Sequence, residues 1–211
     1  MEAIIFDVDG TLWDSTEEVA AAWNAAIRDY TDLDIVLTGS RLVSEFGKPM
    51  DAIMESLFPK LTKEEQDALA VHMYQYENKA METAACRLYD GLVRTVRELS
   101  LKYKLFIVSN CNDGYIEAFL KNTGLGNYIM DFTCPGYTGK LKGENIRIIM
   151  EKNGITDAVY VGDTKGDADA CKIAGIPMIY AAYGFGNVEG NYTSIQSLSE
   201  LTEIDFDEVK K

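Results

Sequence analysis

Two aspartates spaced two residues apart, Asp7 and Asp9, directly follow the first apolar segment of the chain, Ala3-Ile4-Ile5-Phe6. Two carboxylates this close repel each other and raise each other's pKa unless a positive charge lies between them. They therefore either point apart into water or hold a cation. If they hold a cation, other segments should bring polar groups to the same place.

Three other segments carry such groups directly after, or close to, predicted strands. The segments contribute Ser109 and Asn110, then Lys142, and then Asp163 with Asp167. In an open parallel sheet, ligands bind at the carboxyl ends of the strands. We therefore expect these side chains to meet Asp7 at one edge of a sheet.

The residue types indicate a metal site. Oxygen ligands from Asp7, Asp9 and Asp163 suit a hard divalent cation, and Mg²⁺ prefers such ligands. A cation at this position would relieve the repulsion between the first two carboxylates. The sequence therefore predicts Mg²⁺ as the cofactor.

The remaining groups indicate phosphoryl transfer. A carboxylate beside Mg²⁺ and a lysine stays ionised and can attack phosphorus to give an aspartyl-phosphate. Ser109, Asn110 and Lys142 supply donors and positive charge for the transferring phosphoryl oxygens. Lys140 is an alternative for the lysine, and we favour Lys142 because it adjoins the start of a predicted helix.

Apolar strands alternate with amphipathic helices after residue 87. The predicted strands are Lys104–Ser109, Ala158–Val161 and Pro177–Ala181, and the predicted helices are Asp113–Asn122, Gly143–Asn153 and Asp167–Ala174. This pattern is typical of a parallel sheet that is covered on both faces. We predict an α/β fold with a Rossmann-like parallel sheet core and helices on both faces.

Residues 14–86 contain little that is typical of strands. The sequences Ser15-Thr16-Glu17-Glu18 and Thr62-Lys63-Glu64-Glu65 fit capping boxes of two long helices. Shorter helices are predicted at Arg41–Phe46 and Asp51–Leu57. We predict an α/β core domain of residues 1–13 and 87–211, with residues 14–86 inserted as a helical cap.

The break at Gly47-Lys48-Pro49 separates the two shorter helices of this insert. A loop there could dip towards the core, where Lys48 would contact the distal part of a substrate. The alternative is a solvated surface turn, because lysines in loops are mostly exposed.

Composition excludes several other classes of protein. The 211 residues carry a net charge of −14, so no basic stripe is available for nucleic acid or for an anionic membrane surface. No apolar run approaches the roughly 18 residues that cross a membrane. The four cysteines lack the spacing of a zinc site or a disulfide framework. We expect a cytoplasmic protein that is a monomer or a weak homodimer.

Four motifs occur in order along the chain: "DVDGTLWDS", "VSN", Lys142 and "VGDTKGDADACKIAG". Together they resemble the motifs of the haloacid dehalogenase superfamily. They are similar in particular to its phosphatases with a small α-helical cap, namely the phosphoglycolate phosphatase-like and β-phosphoglucomutase-like members. A lone D-x-D is a weak signal, but the four motifs in this order are specific, and the resemblance covers essentially the whole chain.

The resemblance implies roles for both aspartates of the first motif. Asp7 corresponds to the nucleophile. Asp9 corresponds to the general acid that protonates the leaving alcohol and later activates water, and its backbone carbonyl would also touch the metal.

The resemblance also implies roles for residues of the later motifs. Thr11 and Ser109 match positions whose hydroxyls bind the phosphate. Asp163 corresponds to the third Mg²⁺ ligand, and Asp167 to a residue that orients Lys142 or a metal-bound water.

These observations favour a Mg²⁺-dependent phosphatase that acts on a small phosphorylated metabolite. A β-phosphoglucomutase-type phosphotransferase is the main alternative, because it would use the same nucleophile. Dehalogenation is less favoured, since Asp9 and Asp163 would have no metal or acid–base task. A non-catalytic binding scaffold is disfavoured by the presence of every motif residue.

Overall fold

A computed structural model describes residues 1–209, the side chain of residue 207 excepted. The strands in chain order are β1 (Ala3–Phe6), β2 (Trp13–Asp14), β3 (Arg87–Leu88), β4 (Lys104–Val108), β5 (Asp131–Thr133), β6 (Ala158–Gly162), β7 (Met178–Ala181) and β8 (Thr193–Ile195). Six of them form one sheet in the order β5-β4-β1-β6-β7-β8. All neighbours in this sheet are parallel.

The helices surround this sheet and form the insert. They are α1 (Thr16–Tyr30), α2 (Gly39–Leu42), α3 (Met50–Leu57), α4 (Lys63–Met81), α5 (Leu92–Ser100), α6 (Tyr115–Thr123), α7 (Pro135–Thr138), α8 (Lys142–Lys152) and α9 (Lys165–Ala174). Two 3₁₀ segments, Leu198–Thr202 and Phe206–Glu208, follow. Within residues 1–209, none of the helices combines the length and the apolar character that a membrane crossing requires.

Strand β1 is buried on both faces, which explains its uninterrupted apolar sequence. Ile4 and Phe6 join the apolar cluster on one face of the sheet, whereas Ala3 and Ile5 join the cluster on the other. Successive side chains of a strand point to opposite faces, so each face needs its own layer of helices. The α/β fold predicted from the sequence is confirmed.

The predicted elements of the sheet domain agree with the structure to within two residues at most ends. Helices α6 and α9 end at Gly124 and Gly175, whose φ angles of 70° and 78° suit glycine at a helix C-terminus. Helix α9 begins earlier than predicted, because Thr164 is its N-cap. The side chain of Asp167 completes the capping box instead of opening the helix.

The insert is helical, as expected, but a short two-stranded ribbon lies where it joins the core. Strands β2 and β3 pair antiparallel through Trp13 with Leu88 and Asp14 with Arg87. The predicted boundary after residue 13 falls within β2, and the boundary after residue 86 falls directly before β3. The division into a core of 1–13 and 87–211 and a cap of 14–86 stays a prediction, and residues 210 and 211 lie outside the described residues.

The two predicted capping boxes of the insert have different outcomes. Thr62 and Glu65 form the predicted box at the start of α4. Ser15 makes no side-chain cap bond at the start of α1, so that prediction is wrong. The Asp14 carboxylate accepts from the Thr16 backbone N–H instead, at 3.1 Å, and this frees the Ser15 hydroxyl for another partner.

Candidate active site

Strand β1 lies between β4 and β6, at the point where the strand order reverses, and a crevice forms there outside the carboxyl ends. Asp7 follows β1, Ser109 follows β4 and Asp163 follows β6. All three side chains are buried. The fold therefore brings together the residues that the sequence analysis placed at one sheet edge.

Lys142 connects Asp7 to Asp167 in a buried row of charges. Its Nζ lies 3.0 Å from Asp7 Oδ1 and 2.6 Å from Asp167 Oδ1. Burial alone would lower the pKa of Lys142, but the two carboxylates raise it, so this lysine stays charged. Lys140 instead lies at the surface, with its Nζ 4.0 Å from Glu144, and the geometry favours Lys142 as the lysine of the site.

The pKa of Asp7 reflects competing influences. Burial raises it, the Lys142 charge lowers it, and the Asp167 charge raises it again. A hydrogen bond from Ser109 also favours the carboxylate form. The balance leaves the pKa above its ordinary value. An additional cation at this position would therefore stabilise the ionised Asp7 carboxylate.

Asp167 is held in place by the N-terminus of α9. Its Oδ2 accepts from the backbone N–H groups of Asp163 and Thr164 and from the Thr164 hydroxyl, at 2.7–3.2 Å. Burial would raise the pKa of Asp167, but Lys142 and these hydrogen bonds lower it overall. Asp167 is thus an ionised residue that positions Lys142.

Asp163 lies in a tight cradle of backbone. Its Oδ2 accepts from the Phe185 N–H at 2.7 Å, and the Thr11 hydroxyl lies 3.4 Å from its Oδ1. A Cβ at Gly184 would lie 2.4 Å from the Cβ of Asp163, and one at Gly10, where φ is 81°, would lie 2.2 Å from its Oδ2. Burial, followed by the charges of Asp167 and Asp7, raises the pKa of Asp163 to about 8.

The loop after β7 also reaches the site. It is irregular, but Phe185 contacts Asp163 from it, so it belongs to the site. Thr11 is fully buried and its hydroxyl is directed at Asp163. Its implied role as a phosphate-binding hydroxyl stays a prediction, and the structure gives it a positioning contact.

Ligand atoms of Asp7, Asp163 and Asp167 lie within 4.8 Å of one another. This group differs from the set predicted from the sequence, Asp7, Asp9 and Asp163. The only lysine that pairs with these three buried carboxylates among the described residues is Lys142, which contacts Asp7 and Asp167, so negative charge is in excess. This excess charge and the oxygen donors fit a divalent cation. Asp7 and Asp163 would hold the ion, because Asp167 is already engaged by Lys142 and Thr164.

The carboxylate of Asp9 is directed elsewhere. Its Oδ1 accepts from Trp13 Nε1 at 2.9 Å, from Ser15 Oγ at 2.6 Å and from Tyr115 Oη at 2.7 Å. These three donors hold the Asp9 carboxylate away from the cluster of Asp7, Asp163 and Asp167. Burial raises its pKa to about 6, although these hydrogen bonds oppose the rise. A carboxyl group with that pKa is suited to both giving and taking a proton near neutral pH.

Sequence reasoning missed Ser15 and Tyr115 as partners of Asp9. Ser15 was interpreted as a helix cap because Ser followed by Glu three residues later matches a capping box. Tyr115 opens α6, about a hundred residues away, and no local signal links it to Asp9. The ring of Trp13 contacts the rings of Tyr115 and Phe119 edge-on, which places the residue against α6.

The loop between α2 and α3 reaches the core. Asn110 Nδ2 donates to the Gly47 carbonyl at 2.8 Å, and the rings of Phe46 and Phe185 contact each other. The Asn110 amide, predicted to bind phosphate, therefore binds the insert here. Lys48 lines a cavity together with Asp9, but its Nζ lies 2.9 Å from Glu45 Oε2 and its side chain is 45% exposed.

Glu77 is a buried carboxyl group that the sequence analysis did not single out. It lies on the buried face of α4, four residues from both Met73 and Met81, and this spacing could have revealed it. Trp23 Nε1 donates to its Oε2 at 3.0 Å. Burial, opposed by this hydrogen bond and reinforced by the charge of Asp9, raises its pKa to about 8.

Glu77 should make the stability of the protein depend on pH. Because its pKa rises from 4.5 unfolded to about 8 folded, its contribution is fully present below pH 4.5 and is lost as the pH rises through 8. Each pKa unit corresponds to about 1.4 kcal/mol, so the difference between 4.5 and about 8 corresponds to a total loss of order 5 kcal/mol. Glu77→Gln, which cannot ionise, should lose less stability over this range.

Urea unfolding at intervals between pH 5 and pH 8, in chelator, measures this difference. The wild-type free energy of unfolding should fall more steeply than that of Glu77→Gln, and the exposed substitution Glu64→Gln on the same helix should follow the wild type. Parallel curves for wild type and Glu77→Gln would show that Glu77 does not carry the effect.

Comparison with known proteins identifies the family. A family model described as haloacid dehalogenase-like hydrolase matches residues 4–181. The chain belongs to this family. The resemblance predicted from the four motifs is therefore confirmed, and the matched residues include Asp7, Asp9, Lys142, Asp163 and Asp167.

Relatives of this haloacid dehalogenase-like hydrolase include phosphatases. Phosphoglycolate phosphatase of Vibrio vulnificus strain CMCP6 is 27% identical over 202 residues, which cover 90% of this chain and 87% of that one. Phosphoglycolate phosphatase of Colwellia psychrerythraea is 28% identical, with 87% and 85% of the two chains covered. The expectation of a phosphatase-type hydrolase is confirmed at this level.

Solved structures share the fold. The crystal structure of a predicted phosphoglycolate phosphatase from Haemophilus somnus 129pt has a TM-score of 0.84 at 19% identity, covering 96% of this chain and 97% of that one. A predicted phosphatase from Clostridium acetobutylicum gives 0.81 at 23% identity, with 96% of each chain covered. At these identities the likeness shows the fold alone.

Proposed function

We propose that this family member is a Mg²⁺-dependent phosphatase that hydrolyses a small phosphorylated metabolite through an aspartyl-phosphate on Asp7. The observation that carries the proposal is the buried row in which Lys142 Nζ lies 3.0 Å from Asp7 Oδ1. The relatives named phosphoglycolate phosphatase support a phosphate monoester as the substrate class.

Asp7 acts as the nucleophile. A carboxylate oxygen attacks phosphorus, the bond from phosphorus to the leaving alcohol breaks, and an acyl phosphate forms on Asp7. Lys142, fixed by Asp167, places a positive charge beside the carboxylate and the incoming phosphoryl oxygens. Ser109, buried next to Asp7, is the further donor to those oxygens.

Asp9 transfers the protons. In the first step it gives its proton to the leaving oxygen, and in the second it takes a proton from the water that attacks the acyl phosphate. The three donors from Trp13, Ser15 and Tyr115 all bond to Oδ1, so among the described residues Oδ2 is the oxygen available for this transfer. The second step regenerates Asp7 and releases inorganic phosphate.

Mg²⁺, held by Asp7 and Asp163, would neutralise charge on the phosphoryl group and keep the nucleophile ionised. The family resemblance implies the backbone carbonyl of Asp9 as a further ligand. That role is compatible with the observed direction of the Asp9 carboxylate, which is turned towards Tyr115. Ca²⁺ favours more ligands and longer bonds, and we expect it to replace Mg²⁺ poorly.

The proposal is tested with a generic chromogenic ester, p-nitrophenyl phosphate, followed by a panel of phosphorylated metabolites. Phosphate release that requires Mg²⁺ and stops in excess chelator is the expected result. β-Glucose 1-phosphate with a trace of the 1,6-bisphosphate belongs in the panel. If glucose 6-phosphate forms faster than phosphate, the enzyme is a mutase and not a hydrolase.

The position of Lys48 predicts an effect on substrate choice. Its side chain lines the cavity that Asp9 also lines, on the side of the insert. Lys48→Ala should therefore change the ranking of larger substrates more than it changes hydrolysis of p-nitrophenyl phosphate. Steady-state kcat/KM across the panel measures this, with Lys60→Ala, an exposed lysine of the insert, as the control. Identical rankings for Lys48→Ala and wild type would remove Lys48 from the substrate site.

A further inference from the structure

A cavity between insert and core has walls of an unusual composition for a site that binds anions. Asp9 and Glu77 contribute two acidic groups, and Trp23, Phe46 and Tyr74 contribute aromatic rings. A second cavity of about 300 Å³ adjoins it and shares Tyr74 as a wall. The first cavity begins at the general acid, so it is where the alcohol part of a substrate would lie.

Glu77 has no cationic partner among residues 1–209. Its recorded contact is the hydrogen bond from Trp23 Nε1 to Oε2. A buried carboxyl group without a cation is unfavourable in its ionised form, and a ligand that brings positive charge relieves this. Oε1 is thus the oxygen that remains for a ligand.

Asn112 adds a second, independent observation. The residue is one of those around the same cavity and is only 4% exposed, yet neither its Nδ2 nor its Oδ1 has a hydrogen-bond partner among the described residues. Buried amide groups are nearly always hydrogen-bonded in folded proteins. The Asn112 carbonyl oxygen can accept a hydrogen bond from a donor that enters the cavity.

The cation that lines this cavity, Lys48, is shared with a carboxylate of the insert. Lys48 pairs with Glu45 at 2.9 Å, and Glu45 is 2% exposed and also pairs with Arg41. A carboxylate on the substrate would meet Glu77 and Asp9 in this cavity, and the one cation among its lining residues, Lys48, already pairs with Glu45. In this respect the cavity suits a substrate that differs in charge from phosphoglycolate, the substrate in the names of the relatives.

We propose that the leaving alcohol of the substrate carries a protonated amine, which binds between Glu77, Asn112 and the aromatic rings of this cavity. The inference rests on the proposed function and names its substrate class. An ammonium group can donate hydrogen bonds to both polar residues, and the aromatic residues Trp23 and Tyr74 line the same cavity. Glu77 is in this account a residue that determines specificity.

Three esters of nearly equal size test the proposal: 2-aminoethyl phosphate, 2-hydroxyethyl phosphate and 2-phosphoglycolate. Their free ends are cationic, neutral and anionic. For the wild type we expect kcat/KM to be at least tenfold higher for the amine than for the hydroxyl, and lowest for the carboxylate. The 3-aminopropyl and 3-hydroxypropyl esters repeat the comparison at a longer reach.

The ratio of amine to hydroxyl within one variant isolates the role of Glu77. Glu77→Gln should reduce this ratio at least tenfold, whereas Glu64→Gln on the exposed side of the same helix should keep it. Equal rates for the amine and hydroxyl esters in the wild type would overturn the proposal, even if Glu77→Gln failed to fold. A preference for 2-phosphoglycolate would overturn it as well.

The same assay separates this inference from the proposed function. Hydrolysis of p-nitrophenyl phosphate reports phosphatase activity without any amine. If that ester is hydrolysed and the amine esters show no preference, the amine inference fails alone. If neither p-nitrophenyl phosphate nor any ester of the series releases phosphate, both fail.

Discussion

Asp7→Asn should reduce phosphate release by at least about 10⁴-fold, because an amide oxygen cannot act as the nucleophile. The substitution is nearly isosteric at the end of β1. Lys142 keeps its ion pair with Asp167 at 2.6 Å, so the buried lysine does not lose its counter-charge. Initial rates with p-nitrophenyl phosphate at saturating Mg²⁺ measure the loss.

Two controls make this result specific. The circular dichroism spectrum and the unfolding midpoint should remain those of a folded protein. Asp90→Asn, at an exposed position before α5, should keep wild-type activity. If Asp7→Asn retained more than a few per cent of wild-type turnover, Asp7 would not be the nucleophile.

Asp163→Asn should raise the Mg²⁺ concentration for half-maximal activity by about 100-fold or more, since loss of a charged ligand weakens a site at least as much as loss of an outer partner. The shape of the side chain is kept, so the close packing against Gly10 and Gly184 is preserved. Asp169→Asn, at the surface of α9, serves as the control.

Thermal unfolding gives a second measure of Mg²⁺ binding at this site, and it does not depend on turnover. Mg²⁺ at 100 times its Kd should stabilise the wild type by about 2.7 kcal/mol. Without metal, Asp163→Asn should raise the free energy of unfolding near pH 8. The reason is that the pKa of Asp163 is about 8, so the substitution removes a buried charge at this pH. If Mg²⁺ stabilised wild type and Asp163→Asn equally, the ion would bind elsewhere.

The sequence predicted the four central strands of the sheet, because these are buried and their apolar runs are hard to mistake. The edge strands β5 and β8 are short and partly exposed, and they were not predicted. The carboxyl ends of those runs also located Asp7, Ser109 and Asp163. This inference succeeded because strand ends in a parallel sheet meet at one edge whatever the loops between them.

Contacts between distant segments were not predictable in this way. Asp9 is bonded by Ser15 and by Tyr115, which come from different elements. The local pattern around Ser15 satisfies a capping box equally well, so only the folded arrangement decides between the two partners. The two-residue strands β2 and β3 were also missed, since two residues carry no measurable period.

The metal group shows the same limitation. Spacing in the sequence placed Asp7 and Asp9 together. Side chains two residues apart beyond a strand end, however, need not point the same way. The structure directs Asp9 towards Trp13 and brings Asp167 towards Asp7 through Lys142. Which carboxylates converge therefore depends on their hydrogen-bond donors, and these lie far apart in the chain.

Trapping the covalent intermediate tests the central claim most directly. The wild type is mixed with Mg²⁺ and an ester that it hydrolyses, and the reaction is quenched during turnover. The protein is then treated with borohydride, which reduces an acyl phosphate to the alcohol. Peptide mapping should then find homoserine at position 7, dependent on substrate, with the other aspartates unchanged. Active enzyme that shows no modification at Asp7, or modification at another carboxylate, would contradict the mechanism.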